Sequence, residues 1–596
     1  MDSTRNLTVR CGVHWEVRTD DAYSRYSPRM EHLAMKLFMH WRRFSLALGI
    51  SATFLLGPSR ADQPTGYYSP QASPSDQVIG SLGRPSAVAP NAETQVGSGR
   101  AVRQTATSAN LAQPQPQPQP QLSNPTVGSV DSKAAVVIAS DPAAEKKKQE
   151  ALNASMKNAY KGVFYANNFS YLDDPKYNGP YFLGDGLKGM AVGQLDVGGE
   201  YRSRYHHENN MRGFGLTGRD DDFWLSRLRL FSSYRITEDI RFYGEYLYAD
   251  SGGENFAPRV IEENRGEAQN LFFDAKLYDS GAGTVSARLG RQELLFGAQR
   301  LVSPLDWANT RRTFDGYRLT YASKELDGDL FYTNPVNRVA ATGGTNEWDS
   351  SNNNRSFYGA YLSRKDLDVG IVDAYYLGYD DQDANFSYHT LGSRVAGSGD
   401  FFLYELEGGV QFGDNSNGST HNASFITGGL GRKLDLCVGN ATWQPTIWGW
   451  YDYASGGNSA LVNRGDNGFD HLYPLAHKYN GFMDLFGRRN LHDVNMQFIT
   501  PVGNKTTVLL WYHYFFLDQA TTPYSVTMNP FNPGNKAGSR DLGNELDVLA
   551  TINLDARNSL LFGYSFFLAG KYYDSTPGVP TNANADFFYT QYQTQF

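Results

Sequence analysis

From about residue 160 to Phe596 the chain is written in short runs whose alternate residues are apolar, and this period of two constrains the fold more than any other feature. A strand turns successive side chains to opposite faces, so alternation marks a sheet with unlike neighbours on its two sides. Leu228 and Leu230 alternate with Arg227 and Arg229; past the turn Ile236–Asp239, Ile240, Phe242, Tyr246 and Tyr248 alternate with Arg241, Tyr243 and Glu245. Near the end, Leu546, Val548, Ala550 and Ile552 alternate with Glu545, Asp547 and Thr551, and a turn at Asp555–Asn558 leads into Leu560, Phe562, Tyr564, Phe566 and Leu568. One face is apolar and the other is charged.

A soluble sandwich would show the same alternation, so other features have to decide. The longest apolar run, Phe44–Leu56, is about 13 residues, short of the roughly 20 a spanning helix needs. It reads as the core of a signal peptide, with Lys36, Arg42 and Arg43 before it and Ser59-Arg60-Ala61 as a small-x-small cleavage site. Met35 or Met30 is a better start than Met1, which leaves 1–34 as a doubtful extension and 35–61 as the signal peptide. The chain ends on an aromatic: Phe588, Tyr592 and Phe596 share a face, which resembles the C-terminal signature of outer-membrane barrels. Aromatics make up 14% of the residues and charged groups 19%, so rings supply the apolar surface, as a lipid-facing sheet requires.

Unpaired backbone groups have no water to bond inside hydrocarbon, so a membrane sheet must close. About 435 residues at roughly 24 per strand and connection give about 18 strands, wide enough for an aqueous channel. The fold class is therefore all-β, a transmembrane antiparallel up-and-down barrel over 160–596 in the outer membrane, in contact with its lipid. Residues 62–143, rich in Pro, Gln and Ser and including the run Gln113–Gln121, read as a disordered spacer, followed by a short periplasmic helix over 144–159. Lys146, Lys147 and Lys148 on that helix read as a solvated face. The Gly, Asn and Asp-rich stretches Ala341–Arg355, Asp380–His389 and Gln519–Arg540 read as long extracellular loops.

The net charge of -8 carries no basic domain, so nucleic acid is not an expected partner. No G-x-S-x-G, P-loop or H-E-x-x-H occurs, and no enzymatic activity or cofactor is expected. His206-His207-Glu208 does not read as a metal site, because adjacent strand residues face opposite ways. Cys11 precedes the cleavage site, so Cys437 reads as a small strand residue without a disulfide partner.

The stretch Ala287–Tyr321 contains G-R-Q-E-L, R-L-V-S-P-L-D-W and N-T-R-R-T-F-D-G-Y-R-L, and in this it resembles the alginate-export family of outer-membrane barrels. Gly198–Arg202, Asp222–Tyr248, Leu472–Asp493 and Gly543–Asp547 agree with that resemblance. It implies a monomeric barrel whose arginine-lined lumen passes an acidic polysaccharide outward, working with periplasmic export components. Guanidinium groups bind carboxylates bidentately at any working pH, and several weak sites in series let a polymer enter and leave. Alternation places Arg227, Arg229, Arg241, Arg288 and Arg318 on the lumen face. Arg291, Arg311, Arg312 and Arg300 belong to the family-like motif, with their faces not fixed by the pattern. Glu245, Glu293, Asp306 and Asp315 are expected to pair with some of these arginines, and such pairs could equally brace the wall. Leu472–Asp493, with His477 and Asp484, reads as a constriction or periplasmic-loop segment. The alternative reading is a general or uptake porin for small anions or oligosaccharides on the same fold.

Overall fold

The computed structural model describes residues 142–338, 348–399, 401–438, 441–457, 466–533, 535 and 538–596. The signal peptide, nearly all of the Pro/Gln spacer and part of the 341–355 loop lie outside these described residues.

Eighteen antiparallel strands form one closed sheet. In chain order they begin with β1 (Leu195–Asn209), β2 (Asp221–Arg235), β3 (Ile240–Gly252), β4 (Asn264–Ser280), β5 (Gly283–Gln292) and β6 (Phe314–Ala322). There follow β7 (Leu326–Pro335), β8 (Arg355–Leu367), β9 (Gly370–Asp381), β10 (Phe386–Ser398), β11 (Leu403–Asp414) and β12 (Thr420–Lys433). A small separate hairpin, β13 (Leu436–Val438) and β14 (Ala441–Trp443), comes next. The barrel resumes with β15 (Thr446–Ala454), β16 (Leu491–Val502), β17 (Thr506–Leu517), β18 (Asp541–Asn553), β19 (Asn558–Ala569) and β20 (Ala585–Gln595). Each barrel strand pairs with its neighbour in sequence, and β20 pairs with β1 from Glu200↔Gln595 to Asn209↔Asp586, which closes the ring and leaves no open edge.

The alternation read from the sequence sets the two faces. In β2, Phe223, Leu225, Arg227, Arg229 and Phe231 are buried, while Trp224 and Leu230 are exposed. In β1, Glu200, Arg202, Arg204 and His206 are buried against exposed Tyr201. Phe273, Leu289, Tyr317, Leu330, Leu391, Leu430 and Met496 continue the exposed apolar band around the outside. Charged groups sealed inside and large apolar groups bare outside invert the soluble pattern, and lipid is the neighbour that suits this surface.

The short turns, such as 236–239, 281–282, 503–505 and 554–557, lie at the end shared with the start of β1 and the end of β20, which is the periplasmic end by the usual asymmetry of such barrels. The long connections lie at the other end. Asp380–His389 is not one of them: β9 and β10 run up to Asp381 and on from Phe386, because backbone pairing continues across this stretch and Asn385 makes a left-handed turn (φ 54°). The largest excursions are 455–490 between β15 and β16, 518–540 between β17 and β18, and 293–313 between β5 and β6. Residues 472–490 therefore belong to an extracellular-side connection and not to a periplasmic loop, and 491–493 open β16.

The strands also begin later than residue 160. A helix, α1 (Pro142–Lys157), leads into non-strand backbone up to β1. Tyr160, Phe164 and Phe169 carry an apolar pattern, yet they pack as a strap on inward-facing Phe231, Tyr243 and Phe272 near the periplasmic mouth. Tyr160 and Phe169 meet edge to face at 5.2 Å, and Phe164 and Phe231 at 5.7 Å. Each such pair contributes about 0.5–1.5 kcal/mol beyond area burial. The Tyr160 hydroxyl donates to the Phe596 carbonyl oxygen at 2.6 Å, tying the strap to the seam between β1 and β20.

Candidate pore lining

Two long connections and the strap converge inside the barrel. The 293–313 connection and residues 466–490 fold inward and meet in a short parallel bridge at Val302 and Tyr473, where Ser303 N–H donates to the Tyr473 carbonyl (2.8 Å) and Tyr473 N–H to the Leu301 carbonyl (2.9 Å). Non-glycine residues in left-handed backbone mark these inward turns: Gln299 (φ 69°), Leu305 (69°), Leu472 (60°) and Asp484 (53°). Such conformations persist where the surroundings dictate them, and they gather at functional sites.

The folded-in 293–313 segment delivers Asp306 to the inner face of β1 and β2. Arg227 donates to Asp306 and to Glu200, each at 2.6 Å. Arg229 pairs with Glu245 at 2.6 Å and lies with its guanidinium 3.7 Å from the Phe164 ring of the strap. Arg311 pairs with Glu293 and Asp306 and donates to the strap's Gly162 carbonyl at 2.8 Å. Arg202 donates to the Asp306 and Ala308 carbonyls at 2.8 and 2.5 Å, and Arg204 sits 3.6 Å over the Trp307 ring. Five guanidinium groups (Arg202, Arg204, Arg227, Arg229, Arg311) thus face four carboxylates (Glu200, Glu245, Glu293, Asp306) in a buried knot.

A second band lies nearer the periplasm and keeps contact with water. Asp274 binds Arg241 at 2.5 Å and Arg288 at 2.7 Å, and Asp329 binds Arg318 at 2.6 Å. Tyr165 of the strap covers this band: Arg288 stacks on its ring at 4.0 Å, Arg318 donates to its hydroxyl at 3.3 Å, and Arg241 donates to its carbonyl at 2.9 Å. Three arginines against two aspartates leave one positive charge in excess. Side-chain exposure of 27% for Arg241, 11% for Arg288 and 13% for Arg318 separates this band from Arg227 and Arg229, which are sealed.

The remaining motif arginines make pairs of their own. Arg291 joins Glu267 and Asp315 at 2.5 and 2.8 Å. Arg312 donates to the Ser303 carbonyl at 3.3 Å and packs on Tyr473. Arg300 pairs with Glu405 and Glu407 on β11. His206 faces inward and His207 outward, as adjacent strand residues must, and no group of metal-ligating side chains is found among the described residues. His477 binds Asp484 at 2.9 Å and stacks on Trp307 at 4.0 Å, which fastens one inward connection to the other. Arg202 and Arg204 were legible by the same rule, since Tyr201, Ser203 and Tyr205 alternate with them. Arg488, which pairs with Asp452 at 2.6 Å, sits in irregular backbone and carries no such signal.

Docking of the strap should respond to pH. Lys188 follows the strap, packs against Phe169 at 4.8 Å, and is pushed down to about 8 by burial. Released, it holds its proton up to about 10.5, so the released state binds more protons between these values and docking strengthens as pH rises from 8 towards 10. Burial raises Tyr160, and raises Tyr171 to about 12, so above pH 10 the released tyrosines ionise first and docking weakens. Protease cleavage of the strap should therefore be slowest near pH 10, and a rate that is flat from pH 7 to 11 would contradict this.

Residues 193–585 match the family model described as alginate export. A search of the curated proteins finds no match. Among solved structures the chain is similar to OccAB1 of Acinetobacter baumannii (12% identity, TM-score 0.44, covering 67% of this chain and 96% of that one). It is also similar to OccK9 (OpdG) of Pseudomonas aeruginosa (12% identity, TM-score 0.45, covering 67% and 98%).

Proposed function

The chain belongs to the alginate export family and is an outer-membrane pore, and from that premise we propose that it exports an anionic, alginate-like polysaccharide through a lumen lined by arginines. The observation that carries this reading is the partly exposed band of Arg241, Arg288 and Arg318, which among the described residues pairs with Asp274 and Asp329. A guanidinium already shared with a carboxylate binds a passing uronate weakly and exchanges it, which suits a polymer that must move on. The buried knot around Asp306 plays a different part, holding the inward connection in place.

The test is efflux from liposomes loaded with a hexameric oligouronate or with maltohexaose. Both the mature chain and a barrel lacking residues 142–193 would be reconstituted. The oligouronate should leave faster than the neutral hexamer in at least the shortened barrel. Release of chloride without release of either hexamer would instead favour a porin for small anions.

A further inference from the structure

The wall across from the strap presents two tryptophans that the charged bands do not explain. On β15, Trp448 and Trp450 share the inward face with Asp452 and Ala454, while Tyr451 is exposed on the other face. In register beside them stand Gly431 and Gly429 on β12, and Gln497 and Asn495 on β16. A Cβ at Gly429 would fall 2.3 Å from the Trp450 ring, and one at Gly431 would fall 2.4 Å from the Trp448 ring. The indoles therefore lie face-down on bare backbone, a packing that only glycine permits. They are parallel to within 20° with centroids 5.0 Å apart, and neither is fully buried.

An aromatic pair could serve merely to cover glycine backbone. The polar atoms around it argue for more. The buried Arg300 guanidinium lies 4.3 Å from the Tyr479 ring and 5.5 Å from the Trp450 ring. Its Nη1 donates to Glu407 at 2.7 Å and to Glu405, but its Nε and Nη2, and the Trp450 Nε1, are buried without a hydrogen-bond partner among the described residues. Buried donors without partners are destabilising, so their retention beside an aromatic face points to an acceptor that arrives from outside. A uronate offers both halves: an apolar C–H face to lie on indole and a carboxylate for guanidinium donors.

We propose that Trp448, Trp450 and Arg300 form a sugar-stacking subsite in the lumen, which takes successive uronate rings of the exported chain. This deepens the export reading and rests on it. Stacking is insensitive to ring order along a polymer, so such a site guides a chain without fixing its register.

The experiment is equilibrium binding of a fluorescently labelled hexameric oligouronate, and separately of labelled maltohexaose, to the detergent-solubilised mature chain. Heat-modifiable migration on gels would confirm that each variant is a folded barrel. The double variant W448A/W450A should weaken oligouronate binding roughly tenfold or more, with W448F/W450F staying within about threefold of wild type. Oligouronate binding by W448A/W450A within about twofold of wild type would overturn the subsite while leaving the export reading intact. Wild-type binding of maltohexaose alone, lost in W448A/W450A, would keep the stacking surface and overturn its uronate specificity together with the export reading. Binding of neither hexamer to wild type would overturn both.

Discussion

Deletion of residues 142–193 should raise the single-channel conductance of the barrel roughly threefold or more in a planar bilayer. The deleted part contributes no barrel strand, so the ladder from β1 to β20 and its closure remain complete. What is lost is the cover that Tyr165 places over Arg241, Arg288 and Arg318, and the aromatic wedge of Tyr160, Phe164 and Phe169 on the β2–β4 wall. Removing that cover should also raise anion preference, because the same arginines then meet water on an open side. Unchanged conductance would mean that solute already passes along the Trp448 side and that the strap is a fastening only.

Asp306→Asn should have the largest effect on the inward connection. Asp306 accepts from Arg227 at 2.6 Å and from Arg311, while Arg202 holds its backbone carbonyl at 2.8 Å. The substitution leaves five buried guanidinium groups against three carboxylates, Glu200, Glu245 and Glu293. Loss of one partner from a buried charge network costs about 3–5 kcal/mol, and the 26% exposure of the Asp306 side chain places this case at the lower end, about 3 kcal/mol. The 293–313 connection should then leave the lumen part of the time, so trypsin should cut at Arg311 or Arg312 roughly a hundredfold faster than in wild type. Equal cleavage rates would show that the bridge at Val302 and Tyr473 and the His477–Trp307 stack suffice to hold the connection.

Alternation makes the wall legible in the sequence. It assigns Arg227, Arg229, Arg241, Arg288 and Arg318 to the inner face because a strand has only two faces and lipid excludes charge from one of them. The same rule, applied to Tyr201–Tyr205, would have added Arg202 and Arg204. What it could not reach is the filling of the lumen. Whether Asp306, Trp307 or Arg488 hangs outside or folds in depends on tertiary contacts across the barrel, such as Val302 against Tyr473, that leave no period in the sequence. The place of the strap is illegible for a related reason: Tyr160, Phe164 and Phe169 are apolar like a strand's outer face, but their partners are the inward-facing Phe231, Tyr243 and Phe272. Gly429 and Gly431 look like weak strand positions until the register sets Trp450 and Trp448 over them.

In the proposed function, anions cross this outer-membrane pore past Arg241, Arg288 and Arg318. The test is the zero-current potential of the protein in a planar bilayer across a potassium chloride gradient, compared with the R241Q/R288Q/R318Q variant. Wild type should select chloride over potassium, and the triple variant should lose that preference while keeping its conductance. Cation selectivity in wild type, or a potential unmoved by the three substitutions, would contradict the account.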